Sequence, residues 1–186
     1  MRVIVKGADG TNSPSFTLGN RLARAAWQVV WLLCFRPSPR PLHRWRAALL
    51  RLFGARVGRN VHVYPGVQVW APWNLDIGDD TGIGSDANLY AMAPIRIGKR
   101  CVISQGAHLC CGSHDYNSAN FQLVASPIVI EDRVWVCTEA FIGPGVTVHE
   151  GSVIGARAVL MRSTTAPWHV WSGNPAVSRR QRVIRD

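Results

Sequence analysis

The sequence predicts a parallel β-solenoid of triangular cross-section preceded by a helical segment, on three observations. An aliphatic residue recurs at every sixth position. The departures from six all fall at one phase of the repeat. The first third of the chain lacks the pattern. From Ile130 the series runs Ile130, Val136, Ile142, Val148, Ile154, Leu160; upstream it forms three groups, Val57, Val63, Val69, then Ile77, Ile83, Leu89, then Ile97, Ile103, Leu109. Small or modest residues follow four positions later, among them Val134, Ala140, Val146, Ser152 and Ala158.

The steps from Val69 to Ile77 and from Leu89 to Ile97 are eight residues, and the step from Leu109 to Ile130 is 21. Each excess follows a third repeat. Three short strands per turn give this pattern, with every insertion leaving one edge of a prism and each strand pairing with the strands one turn above and below. A helix is disfavoured because six is not a multiple of 3.6 and because Gly58, Gly78, Gly84, Gly98, Gly143 and Gly155 stand directly after the aliphatic.

Residues 16–55 read as two helices broken by Pro37-Ser38-Pro39-Arg40-Pro41, since proline removes a donor and disfavours the helical turn before it. Leu22, Ala26, Val29, Val30 and Leu33, with Trp27 and Trp31 beside them, give the first helix an apolar side; Trp45, Leu49, Leu50 and Phe53 do so for the second. The open first turn of a solenoid exposes its core, and these helices are its expected cap. Residues 1–15 are expected as a flexible tail, 56–175 as the solenoid with an inserted loop at 111–127, and 176–186 as a C-terminal tail.

Charge divides the chain in the same place. Of 186 residues 21 are basic and 11 acidic, a net charge of +10. Between Gly10 and Leu75 stand nine arginines and no acid. Such a segment suits an anionic surface, with a solvated arginine face as the alternative. The longest apolar run, Ala25–Phe35, contains Gln28 and falls short of the roughly 20 residues of a membrane span. No secretory leader pattern opens the chain and the five cysteines lack C-x-x-C spacing, so a cytoplasmic protein without a disulfide framework or structural zinc is expected, peripheral to the inner membrane face if the basic helices meet lipid. No aromatic-basic nucleic-acid reader is present.

The repeat resembles that of the hexapeptide-repeat acyltransferases, which are left-handed parallel β-helices. Ile103-Ser104-Gln105-Gly106-Ala107-His108-Leu109-Cys110-Cys111-Gly112-Ser113-His114-Asp115-Tyr116 is similar to the catalytic segment of the colanic acid and nodulation type of sugar O-acetyltransferase. Val134-Trp135-Val136 with Gly143-Pro144-Gly145-Val146-Thr147-Val148 resembles the cofactor-side coils, and Ser172-Gly173-Asn174-Pro175-Ala176 the closing segment. The run from Phe35 to His43 is similar to the colanic acid branch. The resemblance implies a homotrimer with acetyl-CoA bound between neighbouring subunits. Cys137, where glycine is common, and Met161-Arg162-Ser163-Thr164-Thr165 depart from the pattern on the cofactor side.

Acetyl transfer from a thioester to a hydroxyl needs a base near neutrality and an acid for the leaving sulfur, and histidine suits both steps. His114 lies at the root of the insertion, where the resemblance also places a catalytic base. Either Asp115 or a backbone carbonyl could orient its ring. His108, six residues earlier, is expected to stack one repeat away as a wall or orienting residue. The pair lacks the third ligand that a catalytic zinc requires, so no metal is expected. Cys110 and Cys111 pair with no base and read as packed thiols. The resemblance implies Trp135, Thr138, Ala156, Arg162 and Arg180 on the cofactor side. Asn88 and Tyr90 precede His114 by about one coil and are candidates, with His108 and Asp115, for holding the acceptor.

The expected function is acetyl-CoA-dependent O-acetylation of a carbohydrate hydroxyl, in surface polysaccharide biosynthesis, by direct transfer with His114 as general base. The acceptor is a carbohydrate or a lipid-linked sugar. The alternatives are an N-acetyl or xenobiotic acetyltransferase of the same fold and a non-catalytic β-helical scaffold or membrane-surface adaptor.

Overall fold

Every aliphatic of the six-residue series points into one prism. In the computed structural model, which describes residues 3–4 and 16–184, three parallel sheets form its walls. The first stacks Arg56–Val57, Leu75–Ile77, Ile95–Ile97, Ile128–Ile130 and Thr147–Val148. The second runs from His62–Val63 through Gly82–Ile83, Val102–Ile103, Trp135–Val136 and Val153–Ile154 to His169–Ser172. The third stacks Gln68–Val69, Asn88–Tyr90, His108–Cys110, Phe141–Ile142 and Val159–Leu160. Register aligns the columns: Ile77 pairs with Val57 and Ile97, Ile103 with Ile83 and Val136, and Leu109 with Leu89 and Ile142. Ile83, Ile103, Leu109, Ile130, Val136, Ile142 and Ile154 are fully buried.

The corners explain the polar and glycine positions. Asn60, Asp80, Arg100 and Arg133 occupy one stacked corner with φ of 51° to 59°, a left-handed turn that asparagine and aspartate tolerate better than most residues. Asp79 accepts from the Arg59 backbone N–H at 2.7 Å, which with the Arg59 guanidinium holds its carboxyl below the usual range. At Gly78 an added Cβ would stand 2.7–2.8 Å from backbone atoms of Gly98 and Lys99, so the coils touch there backbone to backbone.

Helix α1 (Leu18–Val30) starts at Thr17, whose side chain accepts from Asn20 N, and runs into a π-helical turn, Trp31–Phe35. After the proline segment follows α2 (His43–Leu52). Trp27, Phe35, Leu49 and Leu50 join the core of the first coils. The indoles of Trp27 and Trp31 donate to the carbonyls of Val69 and Val67, both at 2.8 Å. The apolar side expected for α1 is therefore two sides. The tryptophans face the solenoid, whereas Leu22, Val29 and Leu33 face outward. Arg46 is fully buried and donates to the carbonyls of Val63, Pro39 and Arg40 and to the Ser38 hydroxyl, tying α2 to the proline segment and the first coil.

Two further segments differ from expectation. The insertion at 111–127 is a β-hairpin, Gly112–His114 against Leu123–Ala125, and Val3–Ile4 pairs with its outer strand. The rest of the expected tail at 1–15 lies outside the described residues. Instead of a C-terminal tail, Val177–Gln181 forms a strand antiparallel to His169–Ser172, satisfying the edge of the second sheet.

Candidate active site

His114 ends the first strand of the hairpin and is exposed. Its Nδ1 stands 2.9 Å from the carbonyl oxygen of Phe121, and its ring stacks on the Phe121 ring with centroids 4.3 Å apart. A carbonyl only accepts, so Nδ1 carries a proton, and in the neutral ring the lone pair then falls on Nε2, the tautomer a base requires. Phe121 holds that carbonyl with a φ of 46°, a left-handed conformation that bulky residues adopt only where their surroundings impose it. Asp115 braces the hairpin instead: its N–H donates to Gln122 O and its Oδ1 accepts from Asn117 N. Of the two candidates for orienting His114, the structure has the carbonyl.

Asn88, Tyr90 and His108 lie on the outer face of the third sheet, where His108 pairs in register with Asn88, and Cys110 with Tyr90. His108 and His114 do not stack in one column, because the chain leaves the coil after Cys110 and His114 travels with the hairpin. The His108 ring packs edge-on against Tyr90 and Phe141, and its Nε2 is buried without a partner. Burial lowers its pKa, so near neutrality it is an uncharged wall residue. Burial raises the Tyr90 pKa, which keeps the phenol protonated.

Asn88 and Tyr90 line a cleft of about 370 Å³ with Gln28 and Trp31 from α1 and Gln68 and Trp70 from the first coil. Aromatic faces among amide groups suit a polyhydroxylated ligand, with apolar sugar faces on rings and hydroxyls on amides. Sequence reasoning missed Gln28, Trp31, Gln68 and Trp70. Trp70 precedes Tyr90 by 20 residues, the spacing of neighbouring coils here, and that was the available signal.

The expected cofactor residues fall at separate places. Trp135 is exposed on the second sheet, its indole donating to Ser104 Oγ at 2.9 Å. Thr138 and Ala156 occupy equivalent positions of two consecutive coils at the corner between second and third sheets, joined by the Arg157 N–H donating to Thr138 O. Arg180 is exposed on the antiparallel edge strand of the second sheet. Arg162 follows the last strand of the third sheet and stands at a different corner. One chain does not gather all five.

Cys111 is fully buried and burial pushes its thiol up to about 12; Cys110 is half-buried, also raised, and its thiol donates to Gly112 O. Neither is an activated nucleophile. Among the described residues no group of three or more His, Cys, Asp or Glu stands together as a metal site. No described helix is long and apolar enough to cross a membrane.

Comparison with known proteins is consistent with this geometry. Residues 75–109 match the family model described as the hexapeptide repeat of succinyl-transferase. Over 168 residues the chain is 46% identical to a protein of Escherichia coli (strain K12) provisionally named colanic acid biosynthesis acetyltransferase WcaF, covering 90% of this chain and 92% of that one. It is 28% identical over 144 residues to the galactoside O-acetyltransferase of the same organism, covering 76% of this chain and 68% of that one. The hexapeptide-repeat acetyltransferase VCA0836 of Vibrio cholerae O1 biovar eltor, solved with acetyl coenzyme A, superposes with a TM-score of 0.80 at 26% identity over 95% of this chain and 96% of that one.

Proposed function

Because the chain belongs to the hexapeptide-repeat acetyltransferases, left-handed parallel β-helices, we propose that it moves an acetyl group from acetyl-CoA to a carbohydrate hydroxyl in surface polysaccharide biosynthesis. The observation that carries the reading is the His114 ring, fixed through Nδ1 with Nε2 open. Acetyl-CoA supplies the activated thioester. Nε2 accepts the hydroxyl proton as the oxygen bonds to the acetyl carbon, and the imidazolium returns that proton to the sulfur as the carbon–sulfur bond breaks. The Phe121 carbonyl keeps the ring from turning and favours the transient cation. Asn88 and Tyr90 hold the acceptor in the cleft, His108 forms its wall, and Asp115 keeps the hairpin in shape.

The working unit is a homotrimer. Trp135, Thr138, Ala156 and Arg180 of one subunit meet the corner bearing Arg162 of the next, and the cleft between them takes CoA, with guanidinium groups on its phosphates. The exposure of Tyr116 at 80% and Phe121 at 53% on the hairpin supports burial against a neighbour. The acceptor is a free or lipid-linked sugar, and the basic helices place the enzyme at an anionic membrane face.

His114→Ala tests the reading. Turnover with a sugar acceptor is expected to fall about 10²–10⁴-fold, the span for removing a general base, with CoA affinity unchanged. Turnover within a few-fold of wild type refutes it.

A further inference from the structure

Helix α1 and the π-helical turn that extends it present, among the described residues, an unpartnered side away from the solenoid. Leu18, Leu22, Val29, Leu32 and Leu33 are between 55% and 67% exposed and fall on one helical face, opposite the buried Trp27. Single exposed aliphatics are ordinary; five along one face are not.

The surroundings of the stripe select its partner. Arg21 and Arg36 border it on the same segment, and Arg40 and Arg44 follow in the next turn and helix. All four are exposed, and none forms an ion pair among the described residues. A groove beside α2 adds Arg51, and Arg59 at its far side pairs with Asp79 of the next coil. The helical segment itself contributes no acid, since none stands between Gly10 and Leu75. A second copy laid on the stripe would bring two such cationic segments together, which electrostatics opposes. An aliphatic stripe edged by guanidinium groups instead complements the boundary of an anionic bilayer, where side chains enter the acyl region and phosphates meet the arginines.

The geometry points to α1 as an in-plane anchor on an anionic lipid surface. This inference rests on the acceptor reading of the Asn88–Tyr90 cleft in one respect. Gln28 and Trp31 of the same segment line that cleft, so docking holds it about one helix diameter, roughly 10–12 Å, from the lipid and favours a sugar presented on a lipid carrier. The anchor and the cleft share one short piece of chain, with outward residues for lipid and inward ones for sugar.

Flotation of the full-length protein with vesicles of phosphatidylcholine, alone or mixed with phosphatidylglycerol, tests the anchor. The protein is expected to float with the mixed vesicles at about 0.1 M salt and to be largely released at about 1 M, where the Debye length falls from about 10 Å to about 3 Å. Leu22→Gln/Leu33→Gln should lower partition at least about tenfold, and Arg21→Gln/Arg36→Gln about fivefold per arginine. Both variants should keep the wild-type circular dichroism and turnover with a soluble acceptor. Failure to float at low salt overturns the anchor, as does flotation indifferent to the leucine pair. A wild-type assembly without vesicles that the leucine variant reduces overturns it in favour of self-association. Wild-type protein that turns over but does not float refutes the anchor alone, and flotation of wild-type protein without any acetyl transfer refutes the catalytic reading alone.

Discussion

Replacing Arg46 with leucine removes a buried guanidinium that ties the helical cap to the solenoid. The side chain donates to the carbonyls of Val63, Pro39 and Arg40 and to the Ser38 hydroxyl. In Arg46→Leu the Val63 carbonyl keeps a second contact with His43 Nδ1 and the Pro39 carbonyl keeps the Leu42 N–H, but the Arg40 carbonyl loses its donor. Four hydrogen bonds from a charged donor are lost, and stranding the Arg40 acceptor alone costs about 1–3 kcal/mol. Water recovers part of this, because Pro39 and Arg40 lie at the surface, and removing a cation that burial disfavours returns some more. The net loss is about 2–4 kcal/mol, which at this chain length lowers the melting temperature by about 4–16 °C. Thermal unfolding followed by circular dichroism and by tryptophan fluorescence reads it, since Trp27 and Trp31 sit at the junction. Arg46→Lys should recover only part, because an ammonium group cannot reproduce the planar fork. A leucine variant within about 0.5 kcal/mol of wild type would show that the carbonyl array is incidental, since surface substitutions commonly fall within that margin. Because α1 lines the acceptor cleft, the same variant should raise the acceptor KM more than it lowers kcat.

The remaining expectations concern the coils and the thiols. Gly78→Ala forces two backbones apart and should destabilise by about 1–3 kcal/mol, measured by urea unfolding; a neutral result would mean the coils can separate at that corner without cost. Iodoacetamide at about pH 8 should label exposed Cys34 first, because Cys111, with its thiol at about 12, is only about 10⁻⁴ thiolate there. The sign is that of a raised acid: labelling of Cys111 grows only as pH climbs toward that value, and peptide mapping of early adducts on Cys111 would contradict it. Asn88→Ala should raise the acceptor KM while leaving the CoA affinity alone, measured by initial rates and calorimetry.

The prism was legible because inward positions repeat at a fixed interval and each is filled by an aliphatic, so Ile77, Ile103 and Leu109 announce their columns without help from neighbours. The orientation of α1 was not. Its tryptophans and its leucines are both apolar, and periodicity cannot say which side meets the core; two indole donors finding coil carbonyls decide it. Arg46 counts with the surface bases in any reading of charge, and only the folded proline segment supplies the carbonyls that bury it. The partner of His114 depends on the hairpin register, which pairs His114 with Leu123 and brings the Phe121 carbonyl within reach of its ring, and a one-residue shift would change it. The strand Val177–Gln181 is exposed throughout and carries no alternating pattern to reveal it.

Every departure from the six-residue step in the aliphatic series leaves the prism at one edge, and the largest of them carries His114. At the hairpin's root Cys111 N donates to Tyr90 O and Ile128 N to Pro94 O, and the ladders of His108–Cys110 and Ile128–Ile130 with their neighbours take no contribution from the hairpin's tip. Arm length and scaffold are thus mechanically separate. Lengthening each hairpin strand by two residues would carry the imidazole out by about 6–7 Å, at about 3.3 Å per residue, without altering a single coil-to-coil ladder. Reach becomes a quantity that insertions and deletions can set by themselves, so one prism can be fitted to acceptors of different bulk by changing only how far its histidine is held out.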